Sequence, residues 1–229
     1  MEFKHNGPSK LRLGIVLAQG VAANSTISEL DARIEDRLKD LQAGLNSQEE
    51  TFKGVVRDVF RNGSYKPTGR AKPASEYLLR TALEGSFPRI NGLVDCCNLI
   101  SLESLLPISI WDVAASKSER FEFRLGHEAE SYVFNTSGQS IDLKDLIVGC
   151  ALDASGALNP IVNAIKDSMG TKTSPSTFTV AAAIYAPFEE GPNGSLADVC
   201  QSFVGLLGQT SEAARASFCI LNPGEYAQL

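Results

Sequence analysis

The apolar residues of this chain change their spacing at Pro107, and one type of secondary structure cannot satisfy both patterns. Before it, Ile27, Leu30, Ile34, Leu38, Leu41 and Leu45 recur every three or four residues, and Phe52, Val55, Val56, Val59 and Phe60 do the same. That spacing places each set on one face of a helix. After it, residues 108–113, 121–125, 132–134, 147–152 and 178–185 are short runs rich in aromatic and β-branched residues, which read as strands. Residues 11–21 form an earlier buried strand, 194–208 return to a helix, and 218–221 make a last strand. The order lacks regular βαβ alternation. The expected class is mixed α/β of the α+β kind, a core of mostly antiparallel strands flanked by helices.

Local signals set the boundaries. Thr26 and Glu29 have the spacing of a capping box for the first helix, and Ser47 and Glu50 that of a second. Gly63 suits the end of the second helix. The stretch 62–73, rich in Gly, Pro, Lys and Arg, predicts a loop; Pro73 then opens a third helix with Tyr77, Leu78 and Leu83 inward. Length suits a single domain over 1–229, with 1–72 as an N-terminal strand and helical extension and 73–229 as the core.

Composition removes whole classes of function. No apolar run reaches the ~20 residues of a membrane helix, and the polar N-terminus (Glu2, Lys4, His5, Asn6) predicts a cytoplasmic chain without a leader. Five cysteines in apolar surroundings, none in a Cys-x-x-Cys pair, predict neither a disulfide framework nor a thiolate metal site. Two histidines, His5 and His127, leave little for a histidine triad, and His127 reads as an exposed turn residue. No cofactor is expected: dinucleotide, phosphate-loop, serine-hydrolase and zinc-protease motifs are all missing. Net charge is −6, yet residues 1–72 hold 12 Lys/Arg against 9 Asp/Glu. A general nucleic-acid binder needs the opposite balance overall, so DNA is not an expected partner, and any RNA contact should be small or led by the N-terminal part.

The informative segment runs from Arg89 to Asp112. Leu93, Val94, Cys97 and Ile100 share one helical face, and Asp95 and Asn98, three apart, point the same way. Read physically, it is a helix whose Asp and Asn cap nearby backbone, ended by Pro107 and followed by a strand. Arg89 suits bidentate capture of a carboxylate or phosphate, or an ion pair with a nearby acid.

Asn91, Val94, Asp95, Asn98, Pro107 and Asp112, with Trp111 in an aromatic place, resemble a segment of the tRNA-editing (B3/B4) domain of the phenylalanyl-tRNA synthetase beta chain, here as a free-standing domain. A weaker likeness runs on to Tyr185-Ala-Pro187, covering roughly residues 55–190. The resemblance implies the synthetase beta-chain editing-domain fold, with 73–229 as its core. It also implies hydrolysis of tyrosine wrongly attached to the phenylalanine tRNA, a task that arises because one pocket separates similar substrates poorly. The family's histidine place is Ser109, which cannot serve as a general base near neutral pH. The family's acidic place falls at Asp167, where a carboxylate would read a phenolic hydroxyl or simply cap a turn. Around it crowd Asn163, Lys166, Ser168, Thr171, Lys172 and Thr173, which suit an aminoacyl ester or a terminal ribose, and equally an exposed loop. With Arg89 and Asn91 these are the expected substrate contacts, and Ser109 and Asp167 the expected catalytic pair. Three functions stay open: a trans-acting aminoacyl-tRNA deacylase, an inactive module binding amino acid or RNA, and an interaction domain without a small ligand.

Overall fold

The computed structural model describes residues 1–229. Two sheets form the body. The first has five strands in the order β11 (Tyr226–Gln228), β1 (Glu2–His5), β4 (Arg120–Leu125), β7 (Ile147–Leu152), β8 (Leu158–Asn163). All its pairs are antiparallel except β1 with β4. The second is wholly antiparallel, in the order β10 (Arg215–Leu221), β2 (Arg12–Gln19), β9 (Thr179–Ala186), β3 (Ile108–Asp112). A separate hairpin pairs β5 (Ser131–Val133) with β6 (Ser140–Asp142). The class is therefore α+β with mainly antiparallel strands.

The sheets meet across an aromatic layer. Trp111 of β3 lies edge-on to Phe121 of β4 at 5.3 Å, and Tyr185 of β9 meets Phe123 at 6.2 Å. Strand alternation explains which residues reach this layer: Ser109 pairs opposite Ala183 and Trp111 opposite Ala181, so Ser109, Trp111 and Tyr185 share one face. Gly149 of β7 sits under this layer. A Cβ there would lie 2.7 Å from both the Phe123 ring and Val162.

Helices cover the other face of the four-stranded sheet. α6 (Leu196–Gly208) packs on β2 and β10, and α4 (Gly92–Ser104) packs on α6 and β3. α1 (Leu30–Asp40) and α3 (Ala74–Leu83) lean on α4. Between them runs α2 (Ser47–Val59), and a four-residue helix α5 (Val113–Ser116) follows β3. Residues 1–72, read as an extension, supply β1 and β2, which lie inside the two sheets; both sheets cross the boundary drawn at 72.

Four local expectations differ from the structure. Gly63 does not end α2, which closes at Phe60. The Thr26–Glu29 box is not formed: α1 begins at Leu30 without a side-chain cap, because Ile27 is drawn into the core and a Leu30 N–H to Ile27 carbonyl turn precedes the helix. The second box forms one residue earlier, between Asn46 and Glu49. Glu49 is buried against Arg37 at 2.8 Å, which selects that register over one using Glu50. On α3, Leu78, Leu79 and Ala82 turn inward, while Tyr77 and Leu83 stay 57% and 53% exposed. No helix is long and apolar enough to cross a membrane.

Candidate functional site

The site is made by a turn that folds back under β3. At the end of β8 the Asn163 side-chain oxygen accepts the N–H groups of Ile165 (2.7 Å) and Lys166 (2.9 Å), closing an Asx turn. Its amide nitrogen donates to the Tyr132 oxygen at 2.6 Å, and Tyr132 donates to the Lys166 carbonyl at 2.7 Å. Ser168 then caps a short 3-10 turn over Met169–Thr171. This geometry delivers Asp167 to Ser109. Ser109 Oγ lies 2.7 Å from Asp167 Oδ1, 3.0 Å from the Asn163 carbonyl and 3.3 Å from the Tyr185 hydroxyl. The Asn163 N–H also points at Asp167 Oδ1, at 3.3 Å.

Burial dominates the electrostatics. It pushes the Asp167 carboxyl up to about 7, against the opposing pull of Ser109, two backbone N–H groups and Lys172. Burial also raises Tyr185 and Tyr132, and the neighbouring Asp167 adds to both. A proton count agrees with a neutral Asp167. Ser109 has one hydrogen and faces two acceptors, the Asn163 carbonyl and Asp167. A protonated Asp167 donates to Ser109 Oγ and frees the Ser109 hydrogen for Asn163; an ionised Asp167 claims that hydrogen and leaves the carbonyl without it.

A carboxyl near 7 has the right affinity for proton transfer at neutral pH. Ser109, however, is fully buried and its three partners are all internal. Asp167 as a residue keeps partial exposure, so the turn rather than β3 is the side open to a ligand.

The other expected contacts divide into separate groups. Arg89 is committed to Asp95 (2.8 Å) and Asp31 (2.6 Å), the ion-pair alternative for that residue. Asn91 caps α4 through the Val94 N–H and donates to Thr173 Oγ1 at 3.2 Å. Thr171 is buried with its hydroxyl unpartnered, and Lys172 is exposed. Lys166 stands 4.0 Å over the Phe134 ring and lines a cleft of about 870 Å³. A second cleft, of about 510 Å³ between α1, α4 and α6, has its arginines already paired, Arg33 with Glu103 and Arg37 with Glu49. The five cysteines are free, and burial raises the Cys96 thiol to about 12 and the Cys97 thiol further, which keeps both protonated core groups.

Sequence reasoning did not single out Tyr132 or Tyr185 as members of the cluster. The available signal was that a buried tyrosine hydroxyl must find a polar partner. Which partner depends on the β3–β9 register and on the turn, and neither is visible in spacing.

No protein-family model matches the chain, and no curated protein does. Among solved structures, an N-terminal fragment of the phenylalanyl-tRNA synthetase beta subunit from Pyrococcus horikoshii is similar at a TM-score of 0.40 and 12% identity, over 56% of this chain. The likeness spans 43% of that fragment.

Proposed function

We propose that this domain is a binding module of the synthetase beta-chain editing type, which takes an aminoacyl-RNA or a free amino acid beside the 163–173 turn without hydrolysing an ester through Ser109. The observation that carries this reading is the closure of the catalytic pair on itself. Ser109 is fully enclosed and spends its hydroxyl on Asp167 and Asn163. A group that must orient water or attack a carbonyl needs access within hydrogen-bond reach of the substrate.

One observation favours the alternative, a trans-acting deacylase that removes tyrosine from phenylalanine tRNA. The carboxyl of Asp167, held near 7, is a proton acceptor of the strength that ester hydrolysis needs at neutral pH. In that case Asp167 is the base and Ser109 only orients it.

Tyrosine ester on the phenylalanine tRNA, incubated with the wild-type chain, Asp167→Asn and Ser109→Ala, separates the two. The binding module predicts ester loss no faster than in buffer for all three, with a calorimetric heat for a free amino acid. Loss that is abolished by Asp167→Asn and falls as pH drops below 7 would replace it with the deacylase.

A further inference from the structure

We propose that the cleft between α2, α3 and the 163–173 turn binds the phosphates of a single-stranded RNA end, with Tyr77 as a stacking surface for a base. From Lys53 to Arg80 the chain carries seven Lys/Arg against two acids, Asp58 and Glu76, in a protein whose net charge is −6. The fold gathers four of these seven on one concave wall and adds Lys166 from another part of the chain. Lys53 comes from α2, Arg70 and Lys72 from the loop, Arg80 from α3, and Lys166 from the turn on the far side. The convergence is anchored: the Ala74 N–H donates to the Ala164 carbonyl at 2.8 Å, tying the start of α3 to the turn. Tyr65 donates to the Ala71 carbonyl, and Tyr132 to that of Lys166.

These charges are poorly neutralised from within. Glu76 is the only acid on the wall, and Arg57 grips both its oxygens, with Nε at 2.6 Å. Lys72 lies 3.7 Å from the same carboxylate and Arg80 3.9 Å from Glu84, and Lys53 meets an exposed Glu50. The Arg80–Glu84 pair, exposed on both sides, yields readily to a better anion, and Lys72 takes only second place on a carboxylate that Arg57 already grips. Arg70 and Lys166 have no carboxylate partner; Lys166 rests on Phe134 instead. A concave wall of one sign focuses its field and raises the local concentration of an anionic ligand. Tyr77 is exposed, with the Arg80 guanidinium 5.2 Å from its ring centre. Cations tracking a backbone beside an exposed aromatic ring is the pattern that binds single strands. Duplex RNA offers no free base face to Tyr77.

The choice of RNA as the anion rests on the proposed function, but the site does not need the ester or the amino acid. Anisotropy of a short labelled single-stranded RNA without an amino acid tests it, with inorganic phosphate, a mononucleotide and duplex RNA as competitors. The expected result is competition by unlabelled single strand well ahead of the other three. For the double variant Arg70→Gln/Lys72→Gln we expect affinity to fall about ten-fold or more, and the salt slope to shrink by about 1.4, at ~0.7 per phosphate contact on single strands. Tyr77→Ala should weaken binding about five-fold or more and leave the salt slope unchanged. Arg120→Gln, an exposed cation on β4 outside the cleft, should change neither. Equal competition by phosphate or mononucleotide would reduce the site to a small-anion pocket and overturn the strand. Indifference to Arg70→Gln/Lys72→Gln, with folding confirmed by unchanged melting, would overturn the cleft. Failure here with the amino-acid heat intact leaves the proposed function standing, and loss of that heat with strand binding intact leaves the cleft standing.

Discussion

Replacing Asp167 by Asn should make the protein more stable at pH 8 and leave it little changed at pH 4. The carboxyl has a reference value of 3.8 and is pushed up to about 7 in the fold. The folded state therefore holds this proton more tightly than the unfolded chain does. Below about pH 4 both states are protonated and the group takes nothing from stability. Between about 4 and 7 the unfolded chain releases the proton first, and stability falls as pH rises. Above 7 both states are ionised and the full cost is present. Three units at 1.36 kcal/mol each make that cost about 4 kcal/mol, an upper figure because the residue keeps partial exposure. Asn supplies a permanent N–H donor to Ser109 Oγ, so it mimics the protonated acid at every pH. Urea unfolding of both proteins at pH 4, 6 and 8 gives the comparison. The stability of Asp167→Asn relative to wild type should rise across that range by about 2–4 kcal/mol. Parallel pH profiles, or a variant that weakens toward pH 8, would refute the neutral buried carboxyl and the proton count around Ser109.

Two further outcomes test the packing that holds the site. Asn46→Ala should cost about 1 kcal/mol in urea unfolding and Ser47→Ala almost nothing, because Asn46 accepts the Gln48 and Glu49 N–H groups. Gly149→Ala should lower stability by about 1–3 kcal/mol through overpacking against Phe123 and Val162, measured the same way and visible as lost near-ultraviolet signal from the aromatic layer.

The elements legible in the sequence are those with long runs of one period. β2, β9, α2 and α6 bury a full face or both faces, and their apolar spacing announces it. The strands that spacing did not reveal are short or interrupted. β1 and β11 are Glu-Phe-Lys-His and Tyr-Ala-Gln, with hardly an apolar residue to count. β8 contains Pro160 and pairs through a register shift at Gly149–Cys150. The cluster around Ser109 was half legible. The resemblance points to Ser109 and Asp167, but their contact is made by the Asn163 side chain turning the chain and by two tyrosines that no spacing connects. The cleft shows the same division: the excess of cations before residue 73 is visible in the sequence, whereas their meeting with Lys166 is made by tertiary hydrogen bonds such as Ala74 to Ala164.

The Arg89–Asp112 segment has the opposite character, because most of its polar pattern is spent on caps, turns and internal ion pairs. Asn91 caps α4. Asp95, one turn later, receives the Ile90 N–H at 2.7 Å and holds Arg89. Ser104 and Ser101 close the end of α4 around Leu105, which has a positive φ, before Pro107 releases the chain into β3. Asp112 caps α5 through the Ala115 N–H and accepts the Thr177 hydroxyl at 2.6 Å. A helix, a sharp reversal, a five-residue strand and a second cap permit little change in the spacing of those residues, whatever the domain binds. The pattern therefore specifies a corner of the fold, and a likeness confined to it speaks about architecture. Chemistry has to be sought where polar groups are left over once the backbone is satisfied. In this chain those are the cations of the cleft beside the partly open 163–173 turn.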